Sequence, residues 1–403
     1  MVGARAKVKV LHVHTRMIRG GGDENTLFVV NGVDPERYQV DLAVGSESEE
    51  EMLARVSPRV RVIMVPEMVR RISPRRDLVA GARLVRLIRS ERYDIVHTHM
   101  AKGGMLGRFA ARVAGAPVVI HTLDGQTFHP HLDPVRFAFF REMERVTARI
   151  TDRFIVVGEE LRDWYLGAGV GYPEQYEVIY SGMDLGVFWE ARAGREGFES
   201  RVRASLGVEE GAPLVGKVAR HTEGKGYEYF LDVAERVLDV RPEARFVALG
   251  SGERLEGFRQ EIRSRGLEGK VIAAGFRSDI AEVMACLDVL VHTSLWEGLC
   301  RVLVQGAAVG LPIVTFEVGG AREVVLDGES GYVVPSKDVA TMTWRVLSLL
   351  GAPEVARRMG EAGRKHVGDR WSIERSVSRV EQEYERALAK QAQERGRRSC
   401  GPI

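Results

Sequence analysis

Short apolar runs alternate with longer segments of helical spacing along most of this chain. The runs Val8 to Val13, Tyr38 to Val44 and Phe246 to Leu249 are short and apolar and lead into glycine-containing or polar segments, which is typical of strands. The segment Leu78 to Ile88 places its apolar residues at helical intervals. Strands that alternate with helices favour parallel sheets covered by helices, so the predicted fold class is α/β.

The alternation occurs in two series, and a chain of 403 residues is long enough for two cores. The first series ends near Asp184, and the charged stretch from Glu190 to Ser200 is interpreted as a linker. We predict an N-terminal domain over residues 1–184, a C-terminal domain over residues 185–371 and a final helix over residues 372–393. From Glu394 the sequence indicates a frayed tail.

An acid lies at the start of a helix in the second series. Asp288 to His292 has the pattern of a strand, Glu297 and Gly298 that of a turn, and Cys300 to Val309 that of a helix. Free N–H groups and the positive end of the helix dipole suit a phosphorylated ligand. Because Glu297 would repel phosphate, we expect it to accept from hydroxyls of an attached sugar. Gln305, further along the helix, is a second polar candidate.

Two cations follow the first strand of the second series. The apolar run from Pro213 leads into a loop with Arg220 and Lys225, and then into a helix from Tyr229. A guanidinium can grip a phosphate through two bonds, while an ammonium acts as a point charge. The pair could neutralise a diphosphate without a metal; two solvated loop cations are the structural alternative.

Glycines follow several of the apolar runs. Gly21 and Gly22 lie between the first strand and a helix predicted from Thr26, and Gly319 and Gly320 follow a later strand. Bare backbone amides at such positions can approach phosphate oxygens, although glycines alone also make ordinary tight turns.

In this order the segments resemble the family 4 retaining glycosyltransferases of the GT-B fold. Their Glu-x7-Glu signature is matched at Glu297 and departs at Gln305. The resemblance covers nearly the whole chain. It implies two Rossmann-like, doubly wound domains facing across a cleft, the first for the acceptor and the second for a nucleotide-sugar donor.

The resemblance also implies roles for individual residues. Arg220 and Lys225 would hold the donor diphosphate, and Glu297 would contact the donor sugar. Gln305 stands where the family has the acid that holds the ribose. The donor-binding candidates are Gly21, Gly22, Gly250, Phe276, Arg277, Gly298, Leu299, Gln305, Gly319 and Gly320.

Asp124 stands where the family has a histidine close to the transferred sugar. His121 and His129 are near in sequence, but neither is in register with that histidine. Asp124 is therefore the fourth catalytic candidate, with Arg220, Lys225 and Glu297.

The charge distribution argues for a local patch rather than a basic protein. The chain has 58 Lys and Arg against 56 Asp and Glu, so no nucleic-acid partner is expected. Between Arg55 and Arg112, however, 14 basic residues stand against 4 acids. The basic amphipathic helix there fits contact with an anionic membrane, and it fits equally a Rossmann-type helix with a solvated face.

The cysteines and the hydropathy of the chain indicate the cellular compartment of the protein. Cys286, Cys300 and Cys400 have neither metal-site nor disulfide spacing, which favours a reducing environment. No signal-like apolar segment follows the N-terminus, and no run of about 18 apolar residues occurs. We expect a cytoplasmic protein that at most rests on the inner face of the membrane.

The combined prediction is a retaining glycosyltransferase of the hexosyltransferase type. Its donor would be a nucleotide-diphosphate sugar, a UDP-sugar in first place, and its acceptor a glycan or lipid-linked glycan in bacterial polysaccharide or glycolipid synthesis. Neither a cofactor nor a metal is expected, and the sequence has no Asp-x-Asp motif. Because Asp124 and Gln305 depart from the family, a non-catalytic nucleotide-sugar-binding protein is the alternative. A GT-B epimerase is a third hypothesis, although no additional acid/base residues for it are identified.

Overall fold

The computed structural model describes residues 7–130 and 132–399. It divides into two compact units: residues up to Met183 together with those from Trp371 onward, and Asp184–Arg370. The end of the chain thus belongs to the first unit. The predicted limits at 184 and 371 each differ by one residue from these boundaries.

The first unit contains a parallel sheet. Its strands are β1 (Val8–His14), β2 (Tyr38–Val44), β3 (Arg61–Met64), β4 (Ile95–His99), β5 (Val118–Leu123), β6 (Arg153–Val156) and β7 (Tyr176–Val178). They are ordered β3-β2-β1-β4-β5-β6-β7. The central strands β4 and β5 are buried along their whole length. Burial on both faces explains why β5 is mainly apolar, whereas β4 also carries His97, Thr98 and His99.

Helices cover both faces of this sheet. They are α1 (Gly21–Gly32), α2 (Glu50–Ala54), α3 (Pro74–Glu91), α4 (Ala101–Ala114), α5 (Pro134–Ala148) and α6 (Glu159–Gly167), with a 3₁₀ turn at Pro173–Gln175. The last helix of the chain, Ile373–Ser399, packs against α1 through a shared apolar cluster that includes Val377 and Val380. A second cluster, containing Leu84 and Ala111, joins α3 and α4 to the other face.

The second unit contains a parallel sheet of six strands. These are β8 (Leu214–Val218), β9 (Arg245–Leu249), β10 (Val271–Gly275), β11 (Val289–His292), β12 (Ile313–Phe316) and β13 (Gly331–Val334), in the order β10-β9-β8-β11-β12-β13. Its helices are α7 (Gly186–Ala193), α8 (Glu199–Leu206), α9 (Tyr227–Val240), α10 (Leu255–Ser264), α11 (Ile280–Ala285), α12 (Arg301–Val309), α13 (Ala321–Val324), α14 (Val339–Leu350) and α15 (Pro353–Val367). The last helix of the chain, in the first unit, is α16.

The α/β prediction is therefore confirmed, with two Rossmann-like units. In each unit the order of the strands reverses once, between β1 and β4 in the first and between β8 and β11 in the second. Ligands of open α/β sheets bind beyond the carboxyl ends of the strands at such switch points. The loops that leave β8 and β11 are consequently the first place to look for a site in the second unit.

Three local predictions are wrong. The proposed linker from Glu190 to Ser200 is mostly helical, because Phe188 on α7 and Val202 on α8 bury apolar side chains that the surrounding charges conceal. Helix α1 begins at Gly21 and not at Thr26, so Gly21 and Gly22 form its first turn. Helix α16 continues through the predicted tail to Ser399.

Candidate functional site

Lys225 and Glu297 meet at the switch point of the second sheet. Lys225 lies in the loop after β8 and Glu297 in the loop after β11. The Nζ atom of Lys225 donates to Oε1 of Glu297 at 2.6 Å, and the two side chains are 17% and 18% exposed. An ammonium and a carboxylate therefore share a partly buried position where an anionic sugar conjugate could contact both.

The loops that contain Lys225 and Glu297 pack directly against each other, which holds the two side chains together. The backbone N–H of Leu295 donates to the carbonyl oxygen of Gly224 at 2.8 Å. The ring of Trp296 covers Gly224, where an added Cβ would lie 2.0 Å from a ring carbon, and Gly224 has φ +79°. Position 224 thus requires glycine for both its backbone conformation and its contact with the indole.

The glycine pair Gly319-Gly320 borders the same loop. A Cβ at Gly319 would lie 2.1 Å from the carbonyl oxygen of Glu297, and Gly320 has φ +71° at the start of α13. The Sγ atom of Cys300 donates to the carbonyl oxygen of Gly319 at 3.4 Å. Gly298 and the remaining loop residue Leu299 are therefore held beside the glycine pair, and the structure brings these predicted positions together with Glu297.

Arg220 and Gly250 lie where two further strands end. Arg220 is exposed, and no described residue pairs with its side chain. Gly250 has φ +136°, and a Cβ there would lie 2.0 Å from the carbonyl oxygen of Ala219. The loop after β9 consequently packs against the backbone just before Arg220, while the guanidinium remains accessible to an anion.

The remaining donor candidates differ in their surroundings. Phe276 is 60% exposed after β10. Arg277 is held by Asp279 through two hydrogen bonds, Nε to Oδ1 at 2.8 Å and Nη2 to Oδ2 at 2.5 Å. These bonds raise the pKa of Arg277 and lower that of Asp279. Gln305 is half-buried on α12, with no hydrogen bond from its side chain to a described residue. Its assignment to a ribose stays a prediction.

The candidates of the first unit form a separate group. Gly22 lies against Asp124, since an added Cβ would be 3.1 Å from Cβ of Asp124. Asn25 Nδ2 donates to Oδ1 of Asp124 at 3.2 Å, which fixes the carboxylate beside the first turn of α1, where Gly21 also lies. His121 is buried, and its Nδ1 lies 2.9 Å from Oγ1 of Thr98. A catalytic role for Asp124 stays a prediction.

Two residues beneath the Lys225–Glu297 pair were missed by the sequence analysis. His292, at the end of β11, places Nε2 at 3.6 Å from Oε1 of Glu297. Burial, followed by the charges of Lys217 and Lys225, lowers the pKa of His292 well below its usual value, so the imidazole is neutral. Polar residues at the carboxyl ends of buried strands were the available signal for His292 and Lys217.

Lys217 is a fully buried lysine on β8. Its Nζ donates to Oγ1 of Thr293 at 2.8 Å and lies 5.0 Å from the centre of the Tyr227 ring. The Thr293 hydroxyl in turn donates to the carbonyl oxygen of Gly226 at 2.7 Å. Lys217 therefore supports the turn that joins the Lys225 loop to α9. Burial, followed by repulsion from Lys225, lowers the pKa of Lys217 to about 7.

This pKa predicts how the stability depends on pH. Below pH 7 the folded state must bury an ammonium, whereas between pH 7 and about 10.5 only the unfolded lysine keeps its proton, so the folded state gains stability as pH rises. Lys217→Met removes this dependence. We expect its stability advantage over the native protein to be about 2 to 3 kcal/mol larger at pH 6 than at pH 9.

Urea unfolding of both proteins at the two pH values measures this difference. Lys365→Met is the matched control, because Lys365 is exposed on α15. An equal difference between the native protein and Lys217→Met at both pH values would contradict a depressed lysine pKa.

Two of the three cysteines lie in the described residues. Cys286 and Cys300 are buried thiols outside any disulfide, and Cys400 lies outside the described residues. Burial raises the pKa of Cys286 to about 11, which keeps that thiol protonated.

Two family descriptions match this chain. Residues 20–182 match the family described as "Glycosyl transferase 4-like domain", and residues 198–366 match "Glycosyl transferases group 1". The first match covers the unit that contains Asp124. The second covers the unit that contains Lys225 and Glu297.

Two curated proteins named as glycosyltransferases are related to this chain in sequence, and a solved structure shares its fold. The Escherichia coli UDP-Gal:alpha-D-GlcNAc-diphosphoundecaprenol alpha-1,3-galactosyltransferase is 25% identical over 387 residues, which cover 95% of this chain and 98% of that protein. D-inositol 3-phosphate glycosyltransferase of Segniliparus rotundus is 29% identical, over 74% of this chain and 67% of that protein. A crystal structure of Anabaena HepE in complex with UDP superposes with a TM-score of 0.77 at 19% identity, covering 94% of this chain and 100% of that one.

Proposed function

Because the chain belongs to the GT4-like glycosyltransferases of the GT-B fold, we propose that it transfers a sugar from a UDP-sugar to a glycan or lipid-linked acceptor with retention of configuration. The observation that carries this proposal is the Lys225–Glu297 pair at the switch point of the second sheet, at 2.6 Å. Gly319 and Gly320 border the same position. Cation, carboxylate and accessible backbone thus occur together where a nucleotide sugar binds in such a sheet.

Each group has a distinct part in the transfer. Arg220 and Lys225 neutralise the charge that develops on the departing diphosphate, and the amides around Gly319 and Gly320 approach its oxygens. Glu297 accepts hydrogen bonds from sugar hydroxyls. The carboxylate and Lys225 neutralise each other in their ion pair, so donor binding exchanges this pair for contacts with the ligand. Two cations at the diphosphate make the reaction independent of a metal.

The nucleotide and the acceptor are inferred from related proteins. The Escherichia coli relative is named for UDP-galactose and a sugar linked to diphosphoundecaprenol, and the Anabaena neighbour binds UDP. UDP-sugars are therefore the first donors to test, and a polyprenyl-diphosphate-linked sugar is the first acceptor. The pathway is then the assembly of a bacterial polysaccharide or glycolipid.

Donor turnover tests the proposal. UDP-galactose, UDP-glucose and UDP-N-acetylglucosamine are incubated with the protein, a polyprenyl-diphosphate-linked sugar and EDTA, and released UDP is measured. We expect UDP release from one donor, coupled to extension of the acceptor. A bound donor that stays intact would identify the non-catalytic binding protein, and isomerised sugar without transfer would identify the epimerase.

A basic surface at the start of α3 supports contact with a membrane. We call it the α3 basic patch. It consists of exposed residues, with Ile72 at 60%, Leu78 at 76% and Val79 at 48% exposure beside Arg70, Arg71, Arg75 and Arg76. The four arginine side chains have no ion-pair partner among the described residues. Exposed apolar side chains between unpaired cations fit an anionic lipid surface, which they would contact without spanning it.

Among the helices that the structure describes, none has the length and apolar character needed to cross a membrane. Membrane contact of this chain through the α3 basic patch would therefore be peripheral. We propose the inner face of the cytoplasmic membrane as its location, because lipid-linked acceptors are presented there.

Vesicle binding tests the α3 basic patch. We expect the fourfold change of Arg70, Arg71, Arg75 and Arg76 to Gln to weaken binding to phosphatidylglycerol vesicles by at least about tenfold, since each cation near an anionic surface contributes about 1 kcal/mol. The native protein should also release these vesicles at high salt.

The matched control changes four exposed arginines elsewhere to Gln, namely Arg236, Arg254, Arg358 and Arg375. The membrane proposal would be wrong if the native protein and the α3 variant bound the vesicles equally. It would also be wrong if the control variant lost as much vesicle binding as the α3 variant.

A further inference from the structure

A chain of buried polar side chains runs through the first unit at its own switch point. We call it the histidine relay. Its members are Thr122 on β5, His97 and His99 on β4, His12 on β1, Tyr384 on α16 and Thr26 on α1. All of them are at most 3% exposed. Such side chains are costly inside a core unless each polar atom finds a partner, so their arrangement requires an explanation.

Consecutive members of the relay are within hydrogen-bond distance. His97 Nε2 lies 2.7 Å from Thr122 Oγ1, and His97 Nδ1 lies 2.7 Å from Tyr384 Oη. Tyr384 Oη lies 3.1 Å from His12 Nε2, and His12 Nδ1 lies 2.9 Å from His99 Nε2. His99 Nδ1 lies 3.2 Å from Thr26 Oγ1, which donates to the carbonyl oxygen of Gly22 at 3.2 Å.

The carbonyl oxygen of Gly22 gives the relay a direction. A carbonyl can only accept, so Thr26 donates to it and must accept from Nδ1–H of His99. His99 Nε2 then accepts from Nδ1–H of His12, whose Nε2 accepts from the Tyr384 hydroxyl. Tyr384 in turn accepts from Nδ1–H of His97, and Thr122 donates to the other nitrogen of that ring. All three imidazoles are therefore neutral and carry their proton on Nδ1.

Burial agrees with three neutral rings. It lowers the pKa of His12 to about 3, helped by His14. It also lowers the pKa values of His97 and His99 well below the usual value, helped first by the neighbouring imidazoles of the relay. Burial also raises the pKa of Tyr384, which keeps its hydroxyl protonated. At physiological pH the relay holds no net charge.

The same three histidines could be read as a metal site, because one nitrogen of each lies within 4.8 Å of the others. In the relay, however, both nitrogens of every ring already have a hydrogen-bond partner. A metal would have to break at least one of these contacts at each ring to obtain its ligands. The observed distances therefore favour the relay over a metal centre.

We propose that Tyr384 is a positioning residue that acts through the histidine relay on the first turn of α1. Its hydroxyl joins the two halves of the relay, and the relay ends at the carbonyl oxygen of Gly22. Gly22 itself lies against Asp124. The packing of α16 against the sheet thereby orients the turn that contains Gly21 and Gly22. The relay stands on geometry alone, whereas any effect on sugar transfer rests on the proposed function.

Tyr384→Phe removes only the central hydroxyl. We expect the amides of Glu24 to Leu27, in the first two turns of α1, to exchange with deuterium at least about tenfold faster in this variant. Tyr38→Phe is the matched control: Tyr38 is also buried against α16, with its ring 5.7 Å from that of Tyr384, but it is not a member of the relay. Its exchange in α1 should stay within about twofold of the native rate.

Nitrogen NMR of histidine-labelled native protein gives a readout that mere packing does not predict. His12, His97 and His99 should all show a protonated Nδ1, whereas free histidine favours the Nε2–H form. Thr26→Val, which keeps the shape of the side chain, should abolish the preference of His99 for a protonated Nδ1. This variant tests the relay independently if Tyr384→Phe does not fold. Any one of three results would overturn the relay. These are a proton on Nε2 of one of the three rings, an unchanged rate of deuterium exchange in α1 of Tyr384→Phe, and stoichiometric binding of Zn²⁺ by the native protein.

Discussion

Lys225→Met is expected to lower donor turnover by about a factor of 10³. The ammonium is the point charge closest to Glu297, at 2.6 Å, and methionine keeps the length of the side chain without its charge. Removing one preorganised group that stabilises developing negative charge commonly costs a factor of about 10² to 10³ in rate. The loss should be near the upper end because the Lys225 side chain is only 17% exposed, so solvent screens its charge little.

Release of UDP from the preferred UDP-sugar measures this loss. Lys365→Met removes an exposed lysine of the same unit and should keep native turnover. Thermal unfolding establishes that both variants fold. A folded Lys225→Met protein with turnover within threefold of native would remove Lys225 from the mechanism.

Glu297→Gln is expected to lower turnover by a factor of about 10² while changing the free energy of unfolding little. Glutamine keeps the shape of the side chain and still accepts from Lys225, but it loses the charge that strengthens hydrogen bonds from sugar hydroxyls. Because a weaker, uncharged hydrogen bond replaces the ion pair, Lys225 is released more easily to contact the diphosphate. We therefore expect binding of UDP alone to be unchanged or tighter, in contrast to binding of the UDP-sugar.

Calorimetric titration with UDP and with the UDP-sugar separates these two effects. Glu228→Gln is the control, since Glu228 is an exposed acid on the neighbouring helix α9. If Glu297→Gln weakened UDP and UDP-sugar equally, Glu297 would not be the residue that contacts the sugar.

The strands were predictable because the sheets are parallel. Tyr38 to Val44 was predicted as a strand and is β2 in the structure, where all but Gln39 are buried. Burial on both faces leaves a dense apolar run, which is recognisable without knowledge of its neighbours. The helices of the supposed linker lacked this signal, because α7 and α8 bury few of their side chains between charged positions.

The proximity of Lys225 and Glu297 is a property of topology rather than of spacing. The two residues are 72 positions apart, and they meet because β8 and β11 are neighbours at the point where the strand order reverses. The α/β pattern and the family resemblance together predicted both residues. Only the structure shows that the two side chains form an ion pair and that Lys217 and His292 lie below it.

The basic patch illustrates the limit of counting charges. The count between Arg55 and Arg112 included Arg108, which is buried and donates to Oε2 of Glu144 at 2.8 Å. It also included Arg61, which donates to the carboxylate of Asp41. Both partners lie outside the counted range, and only structure separates such paired arginines from the exposed ones of the α3 basic patch.

The histidine relay was not predictable from sequence, because its members lie far apart along the chain. His12 and Tyr384 are 372 positions apart and meet only because α16 returns to the first sheet. Isolated histidines in strands gave no indication of a common network. Their adjacency follows from the register of β1 and β4, in which His12 is paired with His97.

Equilibrium binding of nucleoside diphosphates shows whether the protein has a metal-independent nucleotide-sugar site around Lys225. UDP, GDP and ADP are titrated into the native protein and Lys225→Met, each with and without EDTA. We expect UDP to bind to the native protein with an affinity that EDTA does not change, and Lys225→Met to weaken this binding at least about tenfold. Absence of binding by all three nucleotides, or binding that EDTA abolishes, would contradict this expectation.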